Sequence, residues 1–431
     1  MIRSRTVKNA SWIIGCKIIK SFLSIIITMF SARYLGPLNY GLINYAASIV
    51  AFFTPVMQLG FNATLVQEIV SKPELEGETL GTALAMNFFA SIGCIIGITA
   101  FSLIANRGDS ATVGVCVLYS LLLLFQALEM IQYWFQSKFL SKYTSTTMLI
   151  SYVLVSAYKI ILLINGASIY WFAASQAIDF AIVAFALLVL YKKMGTQNIK
   201  FSKCRAKQMF RTSKYYIVSG MMVTIFAQTD KIMLKSMVDA SAVGLYSAAV
   251  TCASVASFVF AAIIDSARPA IFSKAKEGKA AFERGICVLY SIIIYLSLAQ
   301  CIVITVFSKL IVTILYGSEY IAAIPALRIV AWFTLFSYLG SVRNIWILAE
   351  GKQRYLWSIN LLGAIANVML NLLLIPVLGI NGAAMASLVT QVFTNFVLTF
   401  VIESIRPCGH YLLKSINPKF VTTYLSEIRS K

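Results

Sequence analysis

The chain has 431 residues, of which 59% are apolar and only 12% charged, with a formal net charge of +20. Soluble domains carry about a quarter charged residues, so this composition excludes an ordinary soluble domain as well as a basic, disordered nucleic-acid binder. What remains is an integral membrane protein. The eight cysteines show no C-x-x-C spacing and the lone histidine is His410, so no disulfide framework, metal centre or cofactor is indicated.

Arg3, Arg5 and Lys8 resemble the start of a signal peptide. The apolar run that follows contains Lys17 and Lys20 and continues past signal-peptide length, so it is read as retained. A span needs roughly 17 to 25 mostly apolar residues, and twelve segments qualify. They are 12–32, 40–60, 80–105, 112–135, 144–165, 168–191, 215–237, 242–264, 285–307, 325–349, 356–378 and 381–402. Between them the basic residues are lopsided: one side has only Arg33, Arg107, Lys235 and Lys309. The positive-inside bias therefore predicts a multi-pass membrane protein with both termini cytoplasmic.

The most basic interruption, residues 192–211 (KKMGTQNIKFSKCRAKQMFR), separates six spans from six. An even number per half predicts an all-α protein of two parallel six-helix lobes, with substrate sites between them near the midplane. The predicted domains are an N-terminal lobe, 1–191, a basic cytoplasmic linker, 192–213, a C-terminal lobe, 214–405, and a cytoplasmic tail, 406–431. Gly41-Leu42 and Gly244-Leu245 open similar apolar runs in the two halves.

Several spans have polar stripes at helical spacing. The first has Lys17, Ser21, Ser24, Thr28 and Ser31 on one face with Lys20 beside it, and the seventh has Thr224, Gln228, Lys231 and Lys235. A lysine in a span costs roughly 2.5 to 3.5 kcal/mol on insertion scales unless it meets water, a partner or headgroups. Either a cationic cavity or snorkelling accounts for Lys17 and Lys20. The fourth span has Gln126, Glu129, Tyr133 and Gln136, the fifth Tyr152, Ser156 and Lys159, and the sixth Ser175 and Asp179. Lys159 with Asp179 reads equally as a packing pair or a coupling site, and Asp230 as a structural ion pair or a coupling group. Arg328 and Arg343 complete the basic set, with headgroup contact open for Arg343, while Asn360, Asn367 and Asn371 align on one face suited to interhelical hydrogen bonds. Basic residues outnumber acids within the spans, which favours an anionic substrate over a cationic drug.

Residues 9–12 (NASW), 32–37 (ARYLGP) with Tyr40-Gly41, 229–233 (TDKIM), 243–249 (VGLYSAA), 315–323 (LYGSEYIAA), and 367–376 (NVMLNLLLIP) with 379–384 (GINGAA) occur in this order across almost the whole length. In these the chain resembles the O-antigen and capsule repeat-unit flippases of the multidrug/oligosaccharidyl-lipid/polysaccharide exporter superfamily. The resemblance implies a V-shaped exporter fold and no enzymatic reaction. It implies translocation of an undecaprenyl-pyrophosphate-linked oligosaccharide to the periplasmic leaflet by ion-coupled alternating access. The implied partners are this lipid-linked oligosaccharide, membrane lipids, H+ or Na+ as coupling ion, and other polysaccharide-assembly proteins, with no nucleic acid. The substrate path would use Lys17, Lys20, Lys159, Lys231, Arg343 and Arg328, and the coupling carboxylates, in order, are Asp179, Glu129 and Asp230. The alternatives are a cation-coupled multidrug antiporter of the same superfamily, for which acids should dominate the cavity, and a polysaccharide polymerase or ligase, for which a large external loop is expected.

Overall fold

The computed structural model describes residues 2–195 and 197–417, with side chains from Trp12 onward except Ile14. Among these residues there is no β-strand; the chain is a succession of helices. The first half comprises α1 (Ile2–Met57), α2 (Phe61–Ser71), α3 (Glu76–Ala105), α4 (Ser110–Ser120), α5 (Leu122–Leu128), α6 (Gln132–Ser137), α7 (Ser141–Ile164) and α8 (Ile169–Met194). Then follow α9 (Lys203–Met237), α10 (Ala240–Ala253), α11 (Ser257–Glu277), α12 (Lys279–Leu315), α13 (Ile324–Ala349), α14 (Arg354–Leu378), α15 (Ile380–Val392), α16 (Leu398–Val401) and α17 (Arg406–Lys414). Helix is the only open element whose backbone satisfies itself in hydrocarbon.

By length and composition, ten described helices can cross a membrane, or eleven if the bent pair α10 and α11 is one span. The predicted twelve differ for identifiable reasons. The predicted spans 12–32 and 40–60 both fall in α1, whose 56 residues would extend about 84 Å if straight, far beyond a bilayer. Gly36 breaks it, at φ 66°, ψ 172°, immediately before Pro37. Left-handed φ is open to glycine without a Cβ penalty, and the proline ring disfavours helical geometry in the residue before it. The predicted span 242–264 is instead two helices bent by 47°.

The chain forms two compact units, one ending at Ile232 and the other beginning at Met233, so the division falls later than the predicted residue 214 and leaves most of α9 with the first unit. In the first unit, the core gathers Phe61, Leu65, Leu80, Met130, Ile131, Trp134, Val183 and Tyr191. In the second, Phe260 and Tyr338 stack with ring centroids 4.0 Å apart amid Ile286, Tyr290, Val342 and Trp346. The opening of the predicted tail belongs to this core. In α17, Cys408 meets the Tyr290 hydroxyl at 3.2 Å and Lys414 pairs with Glu283 at 2.6 Å, while the remaining tail residues, 418–431, lie outside the described ones. Large apolar side chains such as Phe89 and Ile164 are exposed, the pattern of a lipid-facing surface.

The predicted basic linker is mostly helix: α8 runs to Met194 and α9 starts at Lys203. The segment between them is a docked strap. The Gln197 side chain donates to the Pro73 carbonyl at 2.9 Å and accepts from the Gly77 amide at 3.0 Å. The Lys200 amide donates to the Gly77 carbonyl, the Ser202 amide to the Thr82 hydroxyl, and Arg205 to the Thr79 hydroxyl. A Cβ on Gly77 would overlap the Asn198 carbonyl and one on Gly81 the Lys200 backbone. Gly77→Ala should therefore unseat the strap at a cost of about 1 to 3 kcal/mol, the usual range for overpacking. Trypsin cleavage at Lys200 and Lys203 in membrane vesicles should accelerate, whereas Gly93→Ala, with nothing within 4 Å of its added Cβ, should leave the rate unchanged.

Candidate functional site

The first unit brings four of the predicted charges into one connected group. Lys20, on α1, has its ammonium 5.3 Å from the centroid of the Tyr152 ring on α7, a cation–π geometry that stabilises a cation removed from bulk water. Ser24, one turn on from Lys20, lies near the Tyr152 hydroxyl. Glu129 is buried and within electrostatic reach of both Lys20 and Asp179. It occupies a 3-10 turn, Glu129–Ile131, that interrupts the span between α5 and α6, a local tightening often found at hinges and functional positions. Asp179, on α8, accepts from the Ser151 hydroxyl at 2.5 Å, and the same hydroxyl lies 3.0 Å from the Asp179 carbonyl. Lys159, two turns beyond Ser151 along α7, lies within electrostatic reach of Asp179. Two ammonium groups and two carboxylates thus occupy neighbouring positions on four elements, each with an opposite charge to lower the cost of its removal from water.

The other predicted residues lie apart from this group. Lys17 is exposed, and among the described residues no hydrogen bond or ion pair ties it to the Lys20 group. Lys231 donates to the Gln228 side-chain oxygen at 3.5 Å, and that oxygen accepts from Ser48 in the second half of α1 at 3.0 Å. The polar stripe of α9 therefore contacts the second predicted span rather than the lysine stripe of the first. Asp230 is buried beside Lys231 and acts electrostatically on it.

In the second unit, Arg328 is exposed and donates to Ser308 at 2.9 Å. Arg343 is 3% exposed. Its guanidinium donates at 2.6 Å to the Thr394 carbonyl, inside a π-helical turn, Phe393–Val397, and at 3.0 Å to the Asn344 side chain. Arg343 is thus buried against the neighbouring helix and bonded to its backbone. Gly340 makes room for the Asn395 amide, which an added Cβ would overlap. Of the predicted asparagines, Asn371 donates to Asn367 at 3.1 Å within α14.

Ser151 and Ser48 take part in these contacts and had not been singled out. Serine is common in apolar spans as a small packing residue, so neither carries a sequence signal by itself. Asn44 and Ser48, one turn apart on α1, are the one local hint: the Ser48 hydroxyl also lies 2.8 Å from the Asn44 carbonyl.

A family model described as "Polysaccharide biosynthesis protein" matches residues 6–276. The capsular polysaccharide biosynthesis protein CapF of Staphylococcus aureus is 21% identical over 396 residues, covering 89% of this chain and 96% of that protein. An uncharacterized membrane protein of Methanocaldococcus jannaschii is 24% identical over 276 residues, or 60% of this chain, and the match spans only about half, 52%, of that relative. Among solved structures, the lipid II flippase MurJ in an inward closed conformation superimposes with a TM-score of 0.74 at 14% identity, covering 95% of this chain and 92% of that one. An inward-facing multidrug resistance MATE family transporter of the MOP superfamily gives 0.59 at 12% identity, with 91% and 95% covered. At such identities the likeness is one of fold: an all-α membrane exporter architecture. The chain belongs to the polysaccharide biosynthesis protein family.

Proposed function

We propose that this protein is a flippase that carries an undecaprenyl-pyrophosphate-linked oligosaccharide, the repeat unit of a surface polysaccharide such as an O-antigen or capsule, from the cytoplasmic to the periplasmic leaflet of the bacterial inner membrane. The observation that carries the reading is the group formed by Lys20, Glu129, Tyr152, Lys159 and Asp179, in a chain whose family is one of polysaccharide biosynthesis. Charges are rarely retained inside spans without a use. An ammonium group within electrostatic reach of a carboxylate can change partner, because a phosphate oxygen offers charge-assisted hydrogen bonds. Lys20, Lys159 and Lys231 are the path residues of this proposal, with Lys17 and Arg328 as exposed entry and exit contacts, and Arg343 is assigned to holding its helix.

A carboxylate released from a lysine becomes a ready acceptor for a proton or a sodium ion, which links cargo movement to an ion gradient. Asp179 is the first choice for that role, followed by Glu129 and Asp230. The topology proposed with it places both termini in the cytoplasm.

In a strain lacking the protein, wild type should restore surface polysaccharide, while Lys20→Ala and Lys231→Ala at normal protein levels should lower it at least about tenfold, equivalent to about 1.4 kcal/mol of barrier. Polymer at wild-type levels from both variants, measured by gel and surface staining, would exclude the cationic path. In inverted vesicles, flipping by wild type should respond to an imposed proton or sodium gradient, and Asp179→Asn should be both slower and indifferent to it. A variant that keeps the full gradient response removes Asp179 from coupling.

A further inference from the structure

The first unit also contains a cavity of about 410 Å³ where α9 passes the end of α1 and the start of α2, within the range of roughly 300 to 1,000 Å³ typical of small-ligand sites. Its polar lining is Thr54, Gln58, Asn62, Tyr216, Ser219 and Thr224, and no residue that lines it is charged. In this it differs in kind from the Lys20–Asp179 group. The Thr54 and Thr224 hydroxyls donate to the backbone carbonyls of Val50 and Gly220, at 2.9 and 3.0 Å, which leaves their lone pairs facing outward as acceptors. The Gln58 and Asn62 side chains make no hydrogen bond to described residues, and each offers both a donor pair and an acceptor. Pro55 has no N–H to give the Ala51 carbonyl, so this carbonyl, also at the cavity wall, lacks its helical partner.

The backbone is shaped to hold these groups. The corner between α1 and α2 has Leu59 at φ 51° and Gly60 at φ 73°. A left-handed non-glycine residue is uncommon, and such strain tends to persist where the surroundings enforce it, often at ligand clamps. A Cβ at Gly60 would overlap the Ser213 carbonyl and approach the Tyr216 Cβ within 2.9 Å, and one at Gly220 would come within 3.0 Å of Pro55. These two glycines let α9 approach the corner and set the Tyr216 ring, 49% exposed, at the cavity edge.

Uncharged amides and hydroxyls, able both to donate and to accept, beside one exposed aromatic face are the chemistry that recognises a neutral sugar ring. Its hydroxyls need both hydrogen-bond roles, and its C–H face packs on an aromatic ring. We infer that this cavity is a subsite for an uncharged sugar residue of the cargo. The inference rests on the flippase reading. In the topology proposed above the cavity opens at the cytoplasmic ends of α1 and α9, so it would engage the glycan before translocation, separately from the lysines that suit its phosphates. A phospholipid headgroup shares the hydroxyl chemistry in part and is the alternative that the experiment separates.

The full-length protein in nanodiscs of phosphatidylethanolamine and phosphatidylglycerol is titrated, with native mass spectrometry as readout, against two probes. One is undecaprenyl-pyrophosphate-linked oligosaccharide extracted from a producing strain, and the other is undecaprenyl pyrophosphate without sugar. The double variant Gln58→Leu/Asn62→Leu should bind the first probe about tenfold more weakly, the loss of one or two neutral hydrogen bonds, and the second as wild type does. Tyr216→Ala should show the same selective loss and Tyr216→Phe should retain binding. Equal weakening for both probes, no weakening, or a change only in the retained phospholipid overturns the subsite while leaving the flippase reading intact. Failure of wild type to bind either probe counts against that reading and takes the subsite with it.

Discussion

A charged side chain inside a bilayer must find an opposite charge, an aromatic face, a backbone dipole or water, because hydrocarbon offers nothing in return for lost hydration. In this protein different cations meet the requirement in different ways. Lys20 takes an aromatic ring and the field of a carboxylate, and Arg343 takes a helix carbonyl. Lys231 takes an amide, itself held by a serine. These solutions differ in how easily they are undone. A guanidinium buried at 3% exposure on a backbone carbonyl is fixed as long as the helix is. An ammonium over a tyrosine ring, with a carboxylate nearby, has competitors of comparable strength. The same physical requirement thus yields a cation bound to backbone in the second unit and cations set against side chains in the first.

Much of this was legible in the chain itself. Residue spacing put Ser24 on a polar face of the first span with Lys20 beside it, and both approach Tyr152. The short hairpin between their helices leaves Lys159 and Asp179 within electrostatic reach of each other. What could not be read was partner choice across helices distant in sequence. The stripe on α9 looks on paper like a match for the stripe on the first span, but the close approaches at Gly60 and Gly220 set α9 against the next stretch of chain. Arg343 and Lys231 look alike in a hydropathy profile. Only the packing around them reveals that one is committed and the other lightly held.

Span counting met a related difficulty. Hydropathy is insensitive to where a helix breaks: the break at Gly36 falls between two apolar windows, whereas the bend between α10 and α11 falls inside one. The basic linker was legible only as a polar interruption; its short non-helical part is hydrogen-bonded along the corner that leads into α3. Charge density records which side of the membrane a segment occupies and says little about whether it is ordered.

The π-helical turn at Phe393–Val397 has an evolutionary corollary. Such a turn is an α-helix with one extra residue accommodated inside it, so a relative without it should be one residue shorter within its final span. Deleting that residue would rotate everything downstream by about 100° around the helix axis and withdraw the Thr394 carbonyl from Arg343. The arginine and the insertion are therefore expected to be gained or lost together across the family. An alignment that places no gap here when comparing chains with and without the turn would be out of register by one position from this point onward.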